Sequence, residues 1–152
     1  MGGVSKMKQK RLRINRERCM GCCACEIACK MEYQLPRGLR FIVMKETEVT
    51  SPQADQLHFD FAICRHCPSP ACMEVCPHQA IIKRADGIVL VQEDKCTGCR
   101  LCLAACPWHV PQFGPGGIMK KCSLCAARLD AGLKPACQIA CPAGAIRLEE
   151  TE

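Results

Sequence analysis

The chain has 152 residues, a length suited to one folding unit, and a formal charge of +6. One tryptophan, one tyrosine and four phenylalanines leave little aromatic surface, so a nucleic-acid stacking platform is not expected. The positive charge points to no basic surface across the fold. Seven Lys and Arg against one acidic residue in positions 1–18 account for all of it, and the rest of the chain is neutral.

In chain order, positions 1–18 (Lys6, Lys8, Lys10, Arg11, Arg13, Arg16, Arg18) read as a solvated basic tail leading into a strand, with docking on an acidic partner as the sharper alternative. No apolar stretch follows, so neither a secretory signal nor a membrane span is expected. Cys19, Cys22, Cys25 and Cys29 then form C-x2-C-x2-C-x3-C, and residues 26–33 read as a short helix. Strands are expected over residues 40–49 and 57–61, around a polar loop containing Pro52. Cys64, Cys67, Cys72 and Cys76 form C-x2-C-x4-C-x3-C-P, with a helix over 70–75. Residues 81–84 and 88–91 flank the turn Ala85-Asp86-Gly87 as a hairpin. Cys96, Cys99, Cys102 and Cys106 form C-x2-C-x2-C-x3-C-P, with a helix over 100–105. Residues 114–117 (GPGG) read as a flexible connector. Cys122, Cys125, Cys137 and Cys141 close the series as C-x2-C-x11-C-x3-C-P, with a helix over 123–129.

Sixteen of the 17 cysteines thus fall into four groups of four. Disulfide scaffolds impose no repeated C-x2-C spacing, and four-ligand zinc sites have no use for the middle cysteine of C-x2-C-x2-C. Iron–sulfur spacing explains both features, and sixteen thiolates are what four [4Fe–4S] clusters need. Each oxidised cluster with four thiolates carries about −2, so the loaded chain is expected near neutrality on the negative side. Small metal domains fold on binding, so the chain without iron is expected to be unfolded or molten. Gly21 and Gly98 allow close backbone approach to the sulfides, and Pro77, Pro107 and Pro142 end three of the motifs.

The chain also repeats itself. Residues 70–77 (PACMEVCP) match 135–142 (PACQIACP) at an offset of 65, and residues 18–29 match 95–106 at an offset of 77. In two-cluster ferredoxin spacing each motif's fourth cysteine ligates the other cluster. Four ligand sets are therefore expected: Cys64, Cys67, Cys72 with Cys106; Cys96, Cys99, Cys102 with Cys76; Cys19, Cys22, Cys25 with Cys141; and Cys122, Cys125, Cys137 with Cys29. The expected fold is α+β, two bacterial ferredoxin-like modules of short helices and two-stranded ribbons around four clusters. The basic segment 1–18 precedes one domain, 19–152, with an inner module at 64–106 and a split outer module at 19–63 plus 107–152. Cys23, out of register with both repeats, reads as a small buried residue. His58, His66, His78 and His109 read as surface or packing residues, although His66 and His78 lie close enough to the motifs to tune a cluster. Trp108 reads as a cluster-shielding core residue, with docking as the sharper alternative. Lys120–Lys121 read as a solvated pair, with offset of the cluster charge and a raised potential as the alternative.

The motif order resembles that of the four-cluster ferredoxin (beta) subunits of molybdenum and tungsten pterin oxidoreductases, of the dimethyl sulfoxide reductase and formate dehydrogenase types. The likeness runs from Cys19 to about Ile146, and the short form is similar to the small subunit of tungsten aldehyde oxidoreductases. It implies an electron-transfer subunit, not catalytic by itself. Its partner would be a large catalytic subunit carrying the pterin metal, with a flavoprotein subunit or ferredoxin as acceptor. A cytoplasmic location goes with this reading. The alternative is a free polyferredoxin, or the electron-transfer subunit of a hydrogenase or carbon monoxide dehydrogenase.

Overall fold

Short β-prone runs, broken by cysteine loops, glycine and proline, give strands of two to eight residues and helices of four to nine. The computed structural model describes residues 8–151, so Lys6 of the basic segment lies outside the described residues. The strands pair only in antiparallel twos. β1 (Gln9–Ile14) pairs with β8 (Ile146–Thr151), and β2 (Ile42–Val49) with β3 (Gln56–Ile63). β4 (Ile81–Lys83) pairs with β5 (Val89–Val91), and β6 (Gln112–Phe113) with β7 (Met119–Lys120). Between them lie α1 (Ala24–Glu32), α2 (Ala71–Glu74), α3 (Leu101–Ala105), α4 (Ala126–Asp130) and α5 (Ala136–Ala140). The architecture is α+β. Helix α1 packs on α5, and α2 on α3.

A lone two-stranded ribbon is marginal in water, so each must be held by packing. Much of that packing is cysteine. Phe41, Ile42, Ile63 and Ile146 share one core group with Cys25, Cys29, Cys122 and Cys137. Ile81, Val89 and Met119 share a second with Cys102. Ile88, Leu124 and Ala126 form a third. In the register of β1 on β8, Leu12 faces Leu148 and Ile14 faces Ile146, and Leu12 packs against both the first and the third group.

The structure differs from the sequence reading at four places. The basic segment enters its strand already at Gln9, and several of its cations are paired. In β1 Lys10 pairs with Asp86 (3.3 Å) and Arg13 with Glu149 (3.2 Å), and just beyond the strand Arg16 pairs with Asp60 (2.9 Å). Strand β8 went unread because residues 146–151 (IRLEET) are charged and form a strand only beside β1. Helix α5 is the unread counterpart of α2 at the 65-residue offset. Finally, residues 114–117 are not a flexible connector. Gly117 N–H donates to Gly114 O (3.0 Å), and Gly116 and Gly117 take φ of 75° and 74°, closing the β6–β7 hairpin with a tight turn. Among the described residues no helix is long and apolar enough to cross a membrane.

Candidate metal centre

The cysteine loops turn through left-handed residues. Gly21 and Gly98 lie at φ 72° and 73° between the first two cysteines of their motifs, where a side chain would be strained. Cys23, Arg100 and Cys125 then cap α1, α3 and α4 at φ 58°, 65° and 51°. Cys23 and Arg100 are equivalent under the 77-residue repeat, so Cys23 occupies a backbone position that the fold needs whatever its side chain. It is half-buried, not buried, with Sγ 3.7 Å from Gly21 O. Burial, then the Glu26 carboxylate, raises its pKa.

The turns gather thiols from different motifs. Cys96, Cys99, Cys102 and Cys76 line one cavity, and Cys64, Cys67, Cys72 and Cys106 a second. Cys19, Cys22, Cys25 and Cys141 line a third, beside Cys23. The fourth set, Cys29, Cys122, Cys125 and Cys137, is wholly buried. Burial first, then the neighbouring Cys122, Cys125 and Cys25, raises the pKa of both Cys29 and Cys137. Each of the three cavities therefore draws three thiols from one motif and one from another.

This donor set suits a polynuclear group. An iron–sulfur cluster takes four thiolates spread around a cavity, and twelve of the cysteines line three cavities in that way. Backbone N–H groups already point at the sulfurs. Ala80 N–H donates to Cys76 Sγ (3.3 Å), and its repeat partner Ala145 N–H to Cys141 Sγ (3.2 Å). Leu124 N–H donates to Cys122 Sγ (3.3 Å) and Met119 N–H to Cys96 Sγ (3.4 Å). Burial pushes the Cys25 and Cys102 thiols up to about 11, and the Cys29 and Cys122 thiols up to about 12. In the empty protein these groups are held as neutral thiols until iron displaces the proton.

Exposure differs between the sets. Cys22 and Cys99, equivalent under the repeat, are the two solvent-exposed cysteines among the described residues. Cys64 packs against the core group that holds Cys29, Cys122 and Cys137, and Cys64 raises the pKa of Cys122. The Cys64 set and the Cys122 set therefore adjoin, with an exposed thiol in each of the other two.

The neighbouring side chains depart from the sequence reading. Lys120 and Lys121 are not a solvated pair. Lys120 bonds Glu93, but Lys121 is 6% exposed, with Nζ donating to the carbonyls of Val89 and Cys122. Trp108 is 44% exposed, not a core residue; it covers the Cys64 cavity from outside, and the Arg65 guanidinium stacks 3.4 Å above its ring. His58, His78 and His109 are exposed, but His66 is buried. Burial, then Lys121 and Lys83, hold the His66 pKa down at about 3. Beside Cys64 and Cys67 runs an open groove lined by Arg11, Arg13, Arg16, Arg65 and Trp108. Spacing reveals no such burial. The one signal for His66 was its place inside the second motif.

A family profile for 4Fe-4S dicluster domains matches residues 56–151. The chain is similar to the thiosulfate reductase electron transfer subunit of Salmonella typhi, 39% identical over 90% of this chain and 74% of the relative. It is also similar to one of the polypeptides of the anaerobic dimethyl sulfoxide reductase of Escherichia coli K12, 41% identical over 88% of this chain and 69% of the relative. A tetrathionate reductase subunit from Salmonella typhimurium is 36% identical over 87% of this chain. The chain spans between 54% and 74% of the length of these relatives.

Proposed function

The protein belongs to the 4Fe-4S dicluster family of reductase iron–sulfur subunits, and from this premise we propose that it is the electron-transfer subunit of a molybdenum- or tungsten-pterin oxidoreductase, with no catalytic centre of its own. Its cofactors are four [4Fe–4S] clusters, which supply one-electron redox chemistry when bound. The observation that carries the reading is that twelve of the cysteines line three cavities, each with thiols from two motifs, while Cys29, Cys122, Cys125 and Cys137 are buried. We assign Cys19, Cys22, Cys25 and Cys141 to one cluster, and Cys29, Cys122, Cys125 and Cys137 to the next. Cys64, Cys67, Cys72 and Cys106 hold the third, and Cys76, Cys96, Cys99 and Cys102 the fourth.

The residues between the sets do the rest. Phe41, Ile42 and Ile63 exclude water around Cys29, Cys122 and Cys137, where a low dielectric favours exchange over leakage to solvent. The packing of Cys64 against the core group that holds Cys29, Cys122 and Cys137 supports an electron path between the two halves. Cys22 and Cys99 reach the surface at the two other sets, so partners are expected to approach there. One partner is the large catalytic subunit; the other is a flavoprotein subunit or a ferredoxin. The packing of α1 on α5 and of α2 on α3 supports two ferredoxin-like modules, inner (64–106) and split outer (19–63 plus 107–152). The arginine-lined groove supports docking of an acidic face of the catalytic subunit. Thiolate sites at this density suit the reducing cytoplasm, where we place the complex.

Anaerobic purification of the native complex, with metal analysis and mass spectrometry of the polypeptides that come with it, tests the reading. It expects about 16 iron atoms per chain and one molybdenum or tungsten per large partner. Zinc in place of iron, or nickel in the partner, refutes it.

A further inference from the structure

Two buried polar groups in the Cys64 cavity are incompletely matched among the described residues, one lacking a hydrogen-bond acceptor and the other a counter-charge. His66 sits between Cys64 and Cys67 at φ 47°, is 6% exposed and lines the cavity. Its Nδ1 accepts a hydrogen bond from Val89 N–H (2.9 Å). A backbone amide can only donate, so Nδ1 is bare and the ring proton sits on Nε2. That Nε2–H is buried and has no partner. A packing histidine left in this state would cost about 1–3 kcal/mol.

Lys121 lines the same cavity. Its ammonium is buried, bonded to two carbonyls, one of them Val89 O on the residue that orients His66. No carboxylate pairs with it among the described residues. A buried cation without a counter-charge is strongly unfavourable. The cavity that both groups line is walled by four cysteines, the donors of an anionic group.

We propose that His66 donates its Nε2–H to the cluster held by Cys64, Cys67, Cys72 and Cys106, and that Lys121 is the buried counter-charge of that cluster, the two together raising its reduction potential. This rests on the iron–sulfur reading above. Reduction adds one electron and one unit of negative charge, and an N–H donor and a fixed cation both favour the more negative state. Val89 couples the two: its N–H sets the imidazole tautomer and its carbonyl holds the ammonium.

The test uses the full chain purified anaerobically, in four forms: wild type, His66→Phe, His66→Gln and Lys121→Met. Each is titrated electrochemically and followed by electron paramagnetic resonance, with iron and sulfide counted alongside. His66→Phe and Lys121→Met are expected to lower the potential of the same single cluster. Its reduced-to-oxidised ratio at a fixed solution potential should fall about tenfold, which is 59 mV for one electron. His66→Gln, which keeps an N–H donor, should recover part of the shift. Wild-type protein labelled with 15N-histidine should show one histidine nitrogen coupled to the reduced cluster by pulsed resonance. That measurement decides the matter if a variant does not fold. Full iron with unchanged potentials, or no coupled histidine nitrogen in the wild type, overturns the proposal. A wild type without iron and sulfide overturns the cluster reading itself.

Discussion

Gly98 is where the third cysteine motif meets the turn before the fourth, and its replacement by alanine tests how tightly the loops are fixed. Three glycines form a graded series. Gly38, Gly21 and Gly98 all have positive φ, of 86°, 72° and 73°. An added methyl at Gly38 meets nothing within 4 Å, so Gly38→Ala carries only the left-handed backbone cost of about 1–2 kcal/mol. At Gly21 the methyl falls 2.6 Å from the Phe59 ring, a side chain that can shift. At Gly98 it falls 2.6 Å from the backbone carbonyl of Gly117. That carbonyl belongs to the turn pinned by Gly117 N–H to Gly114 O (3.0 Å) and Gly114 N–H to Ile118 O (2.9 Å). Relief must come from moving backbone, adding about 1–3 kcal/mol by analogy with overpacked cores. Gly98→Ala is therefore expected to cost roughly 2–5 kcal/mol, with Gly21→Ala between it and Gly38→Ala. Cluster loss makes unfolding irreversible, so the assay is the rate at which the brown absorbance bleaches in anaerobic guanidinium. The expected order is Gly98→Ala fastest and Gly38→Ala slowest. Gly98→Ala bleaching no faster than Gly38→Ala would refute the close approach of the two loops.

Other outcomes follow from the same geometry. Cys76→Ser and Cys102→Ser should disturb the same cluster, lowering iron from about 16 to about 12 per chain, whereas Cys72→Ser disturbs a different one. Resonance spectra of the three variants decide this, and a shared effect of Cys76→Ser and Cys72→Ser would contradict the assignment. Asp86→Ala should destabilise the holoprotein by about 1–3 kcal/mol, because the buried carboxylate clamps the β4–β5 turn to Lys10 (3.3 Å) and Arg84 (3.1 Å). Anaerobic denaturation of the variant checks it. Removing iron with a chelator under reducing conditions should abolish most far-UV dichroism, since cysteines occupy the first and second core groups. Near-native dichroism would show that the apolar residues suffice. Paired Arg11→Glu and Arg65→Glu changes should weaken retention of the catalytic partner and flatten its salt dependence, measured by co-purification across ionic strength.

The local chemistry was legible in the sequence. Cluster binding demands closely spaced thiols, so sixteen cysteines stand out from spacing alone, and four of the five helices are legible beside them. The 65-residue repeat also contained α5, which the reading passed over because a five-residue helix carries almost no periodicity of its own. Elements that exist only through a distant partner were not readable. Strand β8 is a charged hexapeptide until β1 lies alongside, and that pairing turns the basic segment from apparent tail into ion-paired strand. Burial was equally hidden. Lys120 and Lys121 are identical neighbours in sequence, yet one meets Glu93 near the surface and the other points into the protein beside Val89. The same holds for His66, whose orphaned Nε2 has meaning only once Val89 has claimed Nδ1. Which thiols face solvent, and which cation stands behind a cavity, depend on segments far apart in the chain, and those were decided by the tertiary structure alone.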